Sequence, residues 1–194
     1  MGSSRRAFDE TAALDAAVDV FWEHGYQESS LDMLCEAMGI GRQSLYAWVG
    51  DKQALFVAAL RRFEETETPS LLWDMIRDGA DGRASVVKLM RMVAARAKDP
   101  KRRGCLLTSS VAEFAHGDES IRKVVDDQLE LFRKGVLKSL RKAKKDGDLP
   151  EGVQVQRTAN MLMLLRNGMM LAGRAGSADS GVDAAIELVE RHLG

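Results

Sequence analysis

Residues 31–49 hold two short helical stripes separated by a glycine, and that arrangement limits what the chain can be. Leu31, Leu34, Cys35 and Met38 fall at i, i+3, i+4 and i+7, so they share one face of a helix. Gly39 follows directly, the residue type that enters a left-handed turn without a Cβ penalty. Ile40 plugs the turn from inside, Gly41 can cap the next helix, and Leu45 and Val49 point back to the core. Arg42, Gln43 and Ser44 are left facing outward in the first turn of that next helix. An outward first turn bearing Arg and Gln is what a recognition helix needs to reach base edges in a major groove.

The flanking residues extend the pattern. Ala16-Ala17 and Phe21-Trp22-Glu23-His24-Gly25-Tyr26 lie on a preceding helix, and Ser30-Leu31 opens the next. Ala37-Met38-Gly39-Ile40 forms the turn, Ser44-Leu45-Tyr46 follows it, and Asp51-Lys52-Gln53-Ala54-Leu55-Phe56 opens a fourth helix. In this order and over this span, residues 9–63 resemble the DNA-binding domain of the TetR family of transcriptional regulators. Two positions depart from the family pattern. Gly41 stands where the family often has Ser, which removes one capping hydroxyl, and Val49 stands where it often has Phe.

Composition agrees with an all-helical chain. The 194 residues include only three prolines, at positions 69, 100 and 150, and few β-branched runs. No stretch approaches the roughly 18 apolar residues of a membrane span. Met-Gly-Ser-Ser-Arg-Arg has no apolar region after its arginines, so it is not read as a secretory signal, and Arg6 excludes the myristoylation pattern. The two cysteines do not form a disulfide framework. Cytoplasmic residence, with no membrane association, is the expectation.

Charge does not advertise nucleic-acid binding. Residues 1–65 carry six Lys and Arg against eleven Asp and Glu, a net charge of −5. Phosphate binding usually leaves a basic footprint. Most of the acids fall on the first helix and on the far side of the second. The positive groups Arg5, Arg6, Arg42 and Lys52 fall on the N-terminal arm, the recognition helix and the start of the fourth helix.

Periodicity places helices over about 9–24, 31–38, 42–48, 51–66, 70–77, 83–98, 103–116, 118–146, 152–174 and 179–193. Thr68-Pro69 breaks the chain, dividing an N-terminal three-helix helix-turn-helix DNA-binding domain (1–66) from a helical ligand-binding and dimerisation domain (67–194). The segment 152–174 is apolar almost all round, with Met161 to Leu165 and Met169 to Leu171. Such a helix must be buried on several sides, and a second subunit is the expected cover for one of them. The resemblance implies the same, because the last two helices of each subunit in that family form a four-helix dimer interface. A charge at Leu164 or Met169 is expected to break it.

Several site assignments follow. Arg42, Gln43 and Ser44 are base-contact candidates, since Arg takes guanine and Gln adenine bidentately. Tyr46, Trp48 and Lys52 can donate to phosphates. Ser29 and Ser30 suit the cap of the second helix, where Ser30 can also bring backbone N–H groups to a phosphate. Trp73, Met90, Phe114, Phe132, Met163 and Met170 are expected to line an apolar effector cavity. Cys105, in Arg102-Arg103-Gly104-Cys105-Leu106-Leu107, is read as lying in the first turn of a helix. There the dipole and the arginines would favour the thiolate. The Gly-Cys-Leu-Leu run resembles that of a TetR subgroup, some of whose members sense electrophiles or oxidants through that cysteine. A packing cysteine is the plainer reading.

The spacing Glu113-Phe-Ala-His116 also occurs in di-iron bundles, but it has no second copy here. No metal, cofactor or catalytic residue is expected. The combined expectation is a homodimeric repressor of a palindromic double-stranded DNA operator, answering to a small-molecule effector or an electrophile. The alternative is a helical-bundle protein with a degenerate DNA-binding domain, acting as an interaction module or an enzyme.

Overall fold

Gly39 adopts φ 66° and ψ 29° and closes the helix Leu31–Met38 by donating its N–H to the Cys35 and Glu36 carbonyls. That left-handed residue permits the next helix to begin at Arg42, three positions on. The structure is a computed structural model and describes residues 8–100, 104–114 and 118–194. Arg5, Arg6, Arg102, Arg103 and His116, which the sequence reading drew on, lie outside the described residues. Among the described residues there are ten helices and no strand. Two compact units divide between Thr66 and Glu67.

The N-terminal unit contains α1 (Glu10–Glu28), α2 (Leu31–Met38), α3 (Arg42–Val49) and most of α4 (Lys52–Glu67). α1 runs past the expected end near residue 24, but Gly25 (φ 76°, ψ 178°) kinks it. The core is Ala13, Ala17, Phe21, Leu34, Leu45, Leu55, Phe56 and Leu60, all buried. Phe21 and Phe56 meet edge-on at 4.7 Å, and Trp22 and Phe63 at 4.9 Å. Such aromatic pairs add about 0.5–1.5 kcal/mol beyond their burial. Caps fix the helix starts: the Asp9 carboxylate accepts from Ala12 N–H at 3.0 Å and Asp51 from Ala54 N–H at 2.7 Å.

The C-terminal unit contains α5 (Ser70–Asp78), α6 (Arg83–Lys98), α7 (Leu106–Phe114), α8 (Glu119–Lys145), α9 (Val155–Arg174) and α10 (Ser180–Leu193). α6 packs on α8, α9 and α10, and α8 also packs on α5 and α7. Asp118 caps α8 through Ser120 N–H at 2.8 Å, and Lys142, Lys144 and Lys145 in its last turn complement the helix dipole. α6 and α9 approach closely at Gly173, where a Cβ would stand 2.6 Å from the Ala97 carbonyl oxygen. α10 is tied to α6 by Arg91–Glu190 at 2.7 Å and to α9 by Thr158 Oγ1 and His192 Nε2 at 2.9 Å.

Candidate functional site

The outer surface of the helix-turn-helix is set by its inner one. Leu45 is fully buried, and this orientation of α3 leaves Arg42, Gln43 and Ser44 exposed around its first turn. Gly41 caps α3 without a side chain, so no capping hydroxyl stands beside them. Arg42 is held by Asp32 on α2, with Nε and Nη2 donating to Oδ1 at 2.9 and 2.7 Å and Nη2 to Oδ2 at 2.7 Å. This pairing with Asp32 raises the guanidinium pKa above its already high ordinary value, so Arg42 is a permanent cation. The placement of the α2 acids on its far side is corrected for Asp32: the turn at Gly39 brings it against Arg42, a contact that ten residues of separation hid from the sequence.

The remaining predicted contacts surround this turn. Tyr46 is exposed, and Trp48 is half-buried, its ring edge-on to Phe8 at 5.0 Å. The structure gives Trp48 a packing partner as well as a partly open face. Lys52 is also partly internal: its Nζ lies 4.5 Å above the Tyr26 ring and donates to the Gln27 carbonyl at 3.4 Å. Ser30 caps α2, its Oγ accepting from Met33 N–H at 3.1 Å. Ser29 does not share that role. It is buried and donates to the Gly25 carbonyl, closing the kinked end of α1.

The second cluster lies in the C-terminal unit. Cys105 precedes α7 and caps it, its carbonyl accepting from Ser109 N–H at 3.0 Å. The expectation of a first-turn position is therefore corrected, because α7 begins at Leu106. Cys105 is also only 4 % exposed. Arg166, from α9, donates to its Sγ at 3.7 Å and to Thr108 Oγ1 at 3.0 Å. The Arg166 guanidinium lies 5.0 Å from the centre of the Phe132 ring. Burial alone would push the Cys105 thiol up. The charge of Arg166, the backbone N–H and hydroxyl of Thr108 and the charge of Arg96 outweigh it, and the thiol is held below its ordinary value. Arg96 also pairs with Glu67, the last residue of α4, at 2.7 Å.

Gly104 makes this geometry possible. Its φ is +73°, and a Cβ there would collide with the Met170 carbonyl. The Gly-Cys pair therefore sets the backbone directly against α9 and brings the thiol to Arg166. Sequence reasoning missed Arg166 and Thr108. Arg166 stands 61 positions from Cys105 and, with Asn167, looks like a short polar break in an apolar run.

The expected cavity lining separates. Met90, Phe114, Phe132 and Met170 are buried and Met163 is half-buried. Trp73 is a correction: it is 48 % exposed on α5, where Leu72 and Met75 take the inward positions. A cleft of about 430 Å³ lies between the ends of α6 and α9, lined by Ala97, Asp99, Pro100, Gly173 and Ala175 among others. It includes none of the expected aromatic or methionine side chains. Among the described residues no three His, Cys, Asp or Glu side chains are placed to hold a metal ion. Among them also, no helix is long and apolar enough to cross a membrane.

Comparison with known proteins places both units. Residues 13–59 match the family described as bacterial regulatory proteins, tetR family. Residues 82–189, more than half of the chain, match the tetracyclin repressor-like C-terminal domain. The chain is 25 % identical over 175 residues to the HTH-type transcriptional repressor ComR of Escherichia coli K12, covering 89 % of this chain and 83 % of ComR. It is 28 % identical over 150 residues to the HTH-type transcriptional regulator YezE of Bacillus subtilis, covering 77 % and 76 % of the two. A cysteine mutant of the TetR family transcriptional regulator CifR, solved with 26-base-pair double-strand operator DNA, superposes with a TM-score of 0.77. It is 29 % identical and covers 98 % of each chain. The reduced form of E. coli NemR, at 17 % identity and a TM-score of 0.81 over 96 % and 98 % of the chains, shares the fold.

Proposed function

The chain belongs to the TetR family of DNA-binding transcriptional regulators, and on that ground we propose that it is a homodimeric repressor of a palindromic operator. The observation that carries the reading is the outward first turn of α3, where Arg42, Gln43 and Ser44 are exposed together. Arg42 suits guanine and Gln43 adenine in the major groove, while Ser30, Tyr46, Trp48 and Lys52 suit phosphates. The acidic balance of residues 1–65 makes affinity depend on these few groups and on having two copies of them. CifR was solved on a double-strand operator, which supports the same use of this surface here.

The second copy has a place to dock. Leu164, Gly168 and Leu171 are exposed at i, i+4 and i+7 on α9, and Leu188 is exposed on α10. Nothing lies within 4 Å of where a Cβ on Gly168 would stand, so a partner helix can approach closely there. A monomer rarely leaves such an apolar stripe to water. A two-fold interface covers it on both subunits at once.

The signal enters residues 67–194, either as a small-molecule effector or as an electrophile meeting Cys105 in the reducing cytoplasm. A thiol held below its ordinary pKa beside two guanidinium groups is the better supported entry point. Modification of the thiol would disturb the Arg166 and Arg96 pairings, and Arg96 holds Glu67 at the end of α4. Any ligand favouring a state poor in DNA binding weakens DNA by the factor by which DNA weakens it.

The test is a reporter fused to the gene's own upstream region. The chain should lower its expression, Arg42→Ala with Gln43→Ala should restore it, and an electrophile should restore it for wild type but not for Cys105→Ser. Unchanged expression with and without the chain would defeat the repressor reading. Release that persists in Cys105→Ser would move the signal to a reversible ligand.

A further inference from the structure

We propose that Asp32 is a specificity-determining positioning residue of the DNA interface: it grips one edge of the Arg42 guanidinium and presents the other edge to a guanine. The inference rests on the reading that Arg42 faces bases. Asp32 lies in the first turn of α2 and Arg42 opens α3, so the Gly39 turn brings them together.

A guanidinium has five N–H groups in a rigid fork. The edge formed by Nε–H and the adjacent Nη2–H is the one turned to Asp32, with donor–acceptor distances of 2.7–2.9 Å. The remaining edge carries one hydrogen from Nη1 and one from Nη2, side by side along the axis of the side chain. Two parallel donors of that kind match N7 and O6 of guanine.

As a device for stability the pair is worth little. The Arg42 and Asp32 side chains are 57 % and 76 % exposed, and pairs in that setting contribute at most about 1 kcal/mol net. Its effect belongs to recognition. An arginine with four rotatable bonds must be ordered when it docks on a base, and a side chain ordered in advance avoids that cost. Asp32 also adds a negative charge close to the surface that would meet phosphates, which opposes binding to any duplex. One carboxylate thus strengthens the correct sequence and weakens all others, using attraction and repulsion together. This gives the residue a signature that a purely structural pair lacks. Removing it should lower affinity for the preferred sequence while leaving random DNA bound as well or better.

The experiment is selection from a randomised duplex pool with full-length wild type, Asp32→Ala, Asp32→Asn and Arg42→Ala. Affinities are then measured on the duplex enriched by wild type and on random duplex. Wild type should enrich guanine at one position in each half-site, and Arg42→Ala should lose it. Asp32→Ala should lose the same preference, bind the enriched duplex about three- to tenfold more weakly, and bind random duplex equally or more tightly. Asp32→Asn keeps an acceptor without the charge and should fall between. Adding Asp32→Ala to Arg42→Ala should cost nothing further at that position.

Full guanine preference in Asp32→Ala, or equal tightening on enriched and random duplex, would overturn the role of Asp32 and leave Arg42 in place. Guanine preference surviving in Arg42→Ala, or no enrichment by wild type, would overturn the reading beneath it and the role of Asp32 with it. Matching circular dichroism melts would exclude misfolding as the cause of either loss.

Discussion

Leu164→Lys should separate the two subunits of the proposed dimer. In the single subunit Leu164 is 74 % exposed, and the two-fold interface would bury it. Burying a leucine side chain completely is worth about 1.5–3 kcal/mol, so three quarters of that is about 1–2 kcal/mol per copy. Two-fold symmetry doubles the loss to about 2–4 kcal/mol, before any cost of placing two ammonium groups in the seam. At about 1.4 kcal/mol per tenfold change, the dimer dissociation constant should rise roughly 30- to 1000-fold. Sedimentation velocity over a concentration series reads this directly, and circular dichroism should show unchanged helicity because the side chain is outside the core of its own subunit. A variant that remains dimeric over the same concentrations as wild type would refute the placement of the interface on this face. Met169 does not offer the same test. It is only 4 % exposed inside its own subunit, so a charge there reports on the core rather than on the partner.

Four further outcomes follow from particular contacts. Arg166→Met removes the guanidinium nearest Cys105 while leaving the thiol buried, so the pH profile of its alkylation should shift to higher pH; an unchanged profile would show that Arg166 does not set its reactivity. Gly104→Ala imposes a side chain where φ is +73° and the Met170 carbonyl is in the way, so chemical denaturation should show a loss of about 1–3 kcal/mol; an unchanged midpoint would contradict the close approach. Lys52→Ala should weaken operator and random DNA alike and flatten the salt slope by about one, whereas a loss confined to the operator would assign it to base reading. The hydrogen bond from Arg62 lowers the Asp15 pKa below 3.8. Its contribution to stability is therefore complete above that value and is lost as pH falls through the lower folded value. Asp15→Asn should accordingly be less stable than wild type at neutral pH and converge with it in acid, and a difference that stays constant throughout the acid limb would contradict the linkage.

The helices were legible because their signals are local. The Leu31 to Met38 stripe, the glycine at 39 and the outward turn at 42–44 are each set by spacing within a few residues, and they form the helix, turn and surface that spacing implied. The start of α7 was not, because nothing near Arg102 shows that Gly104 must turn against α9 before the helix can begin at Leu106. Trp73 was misplaced for a related reason. On this nine-residue helix Leu72, Trp73 and Ile76 fall within one arc of about 100°, but packing on α8 buries the arc of Leu72 and Met75 and leaves Trp73 at its outer edge. The polar partners were the least legible. Asp32 for Arg42 and Arg166 for Cys105 are set by tertiary packing, and a charged residue in either place reads as an ordinary solvated group in sequence. The apolar residues fared better, since Cys35, Leu45 and Phe21 are buried as their spacing required.

The most direct measurement is gel retardation of the DNA upstream of the chain's own gene by the full-length protein, with unlabelled competitors. The account predicts a discrete complex that the same fragment displaces at a concentration far below that needed by random duplex of equal length. It also predicts that the difference vanishes when Arg42 and Gln43 are both alanine. No complex, or equal displacement by both competitors, would contradict sequence-specific recognition of this fragment through α3 and would favour an interaction module built on the same fold.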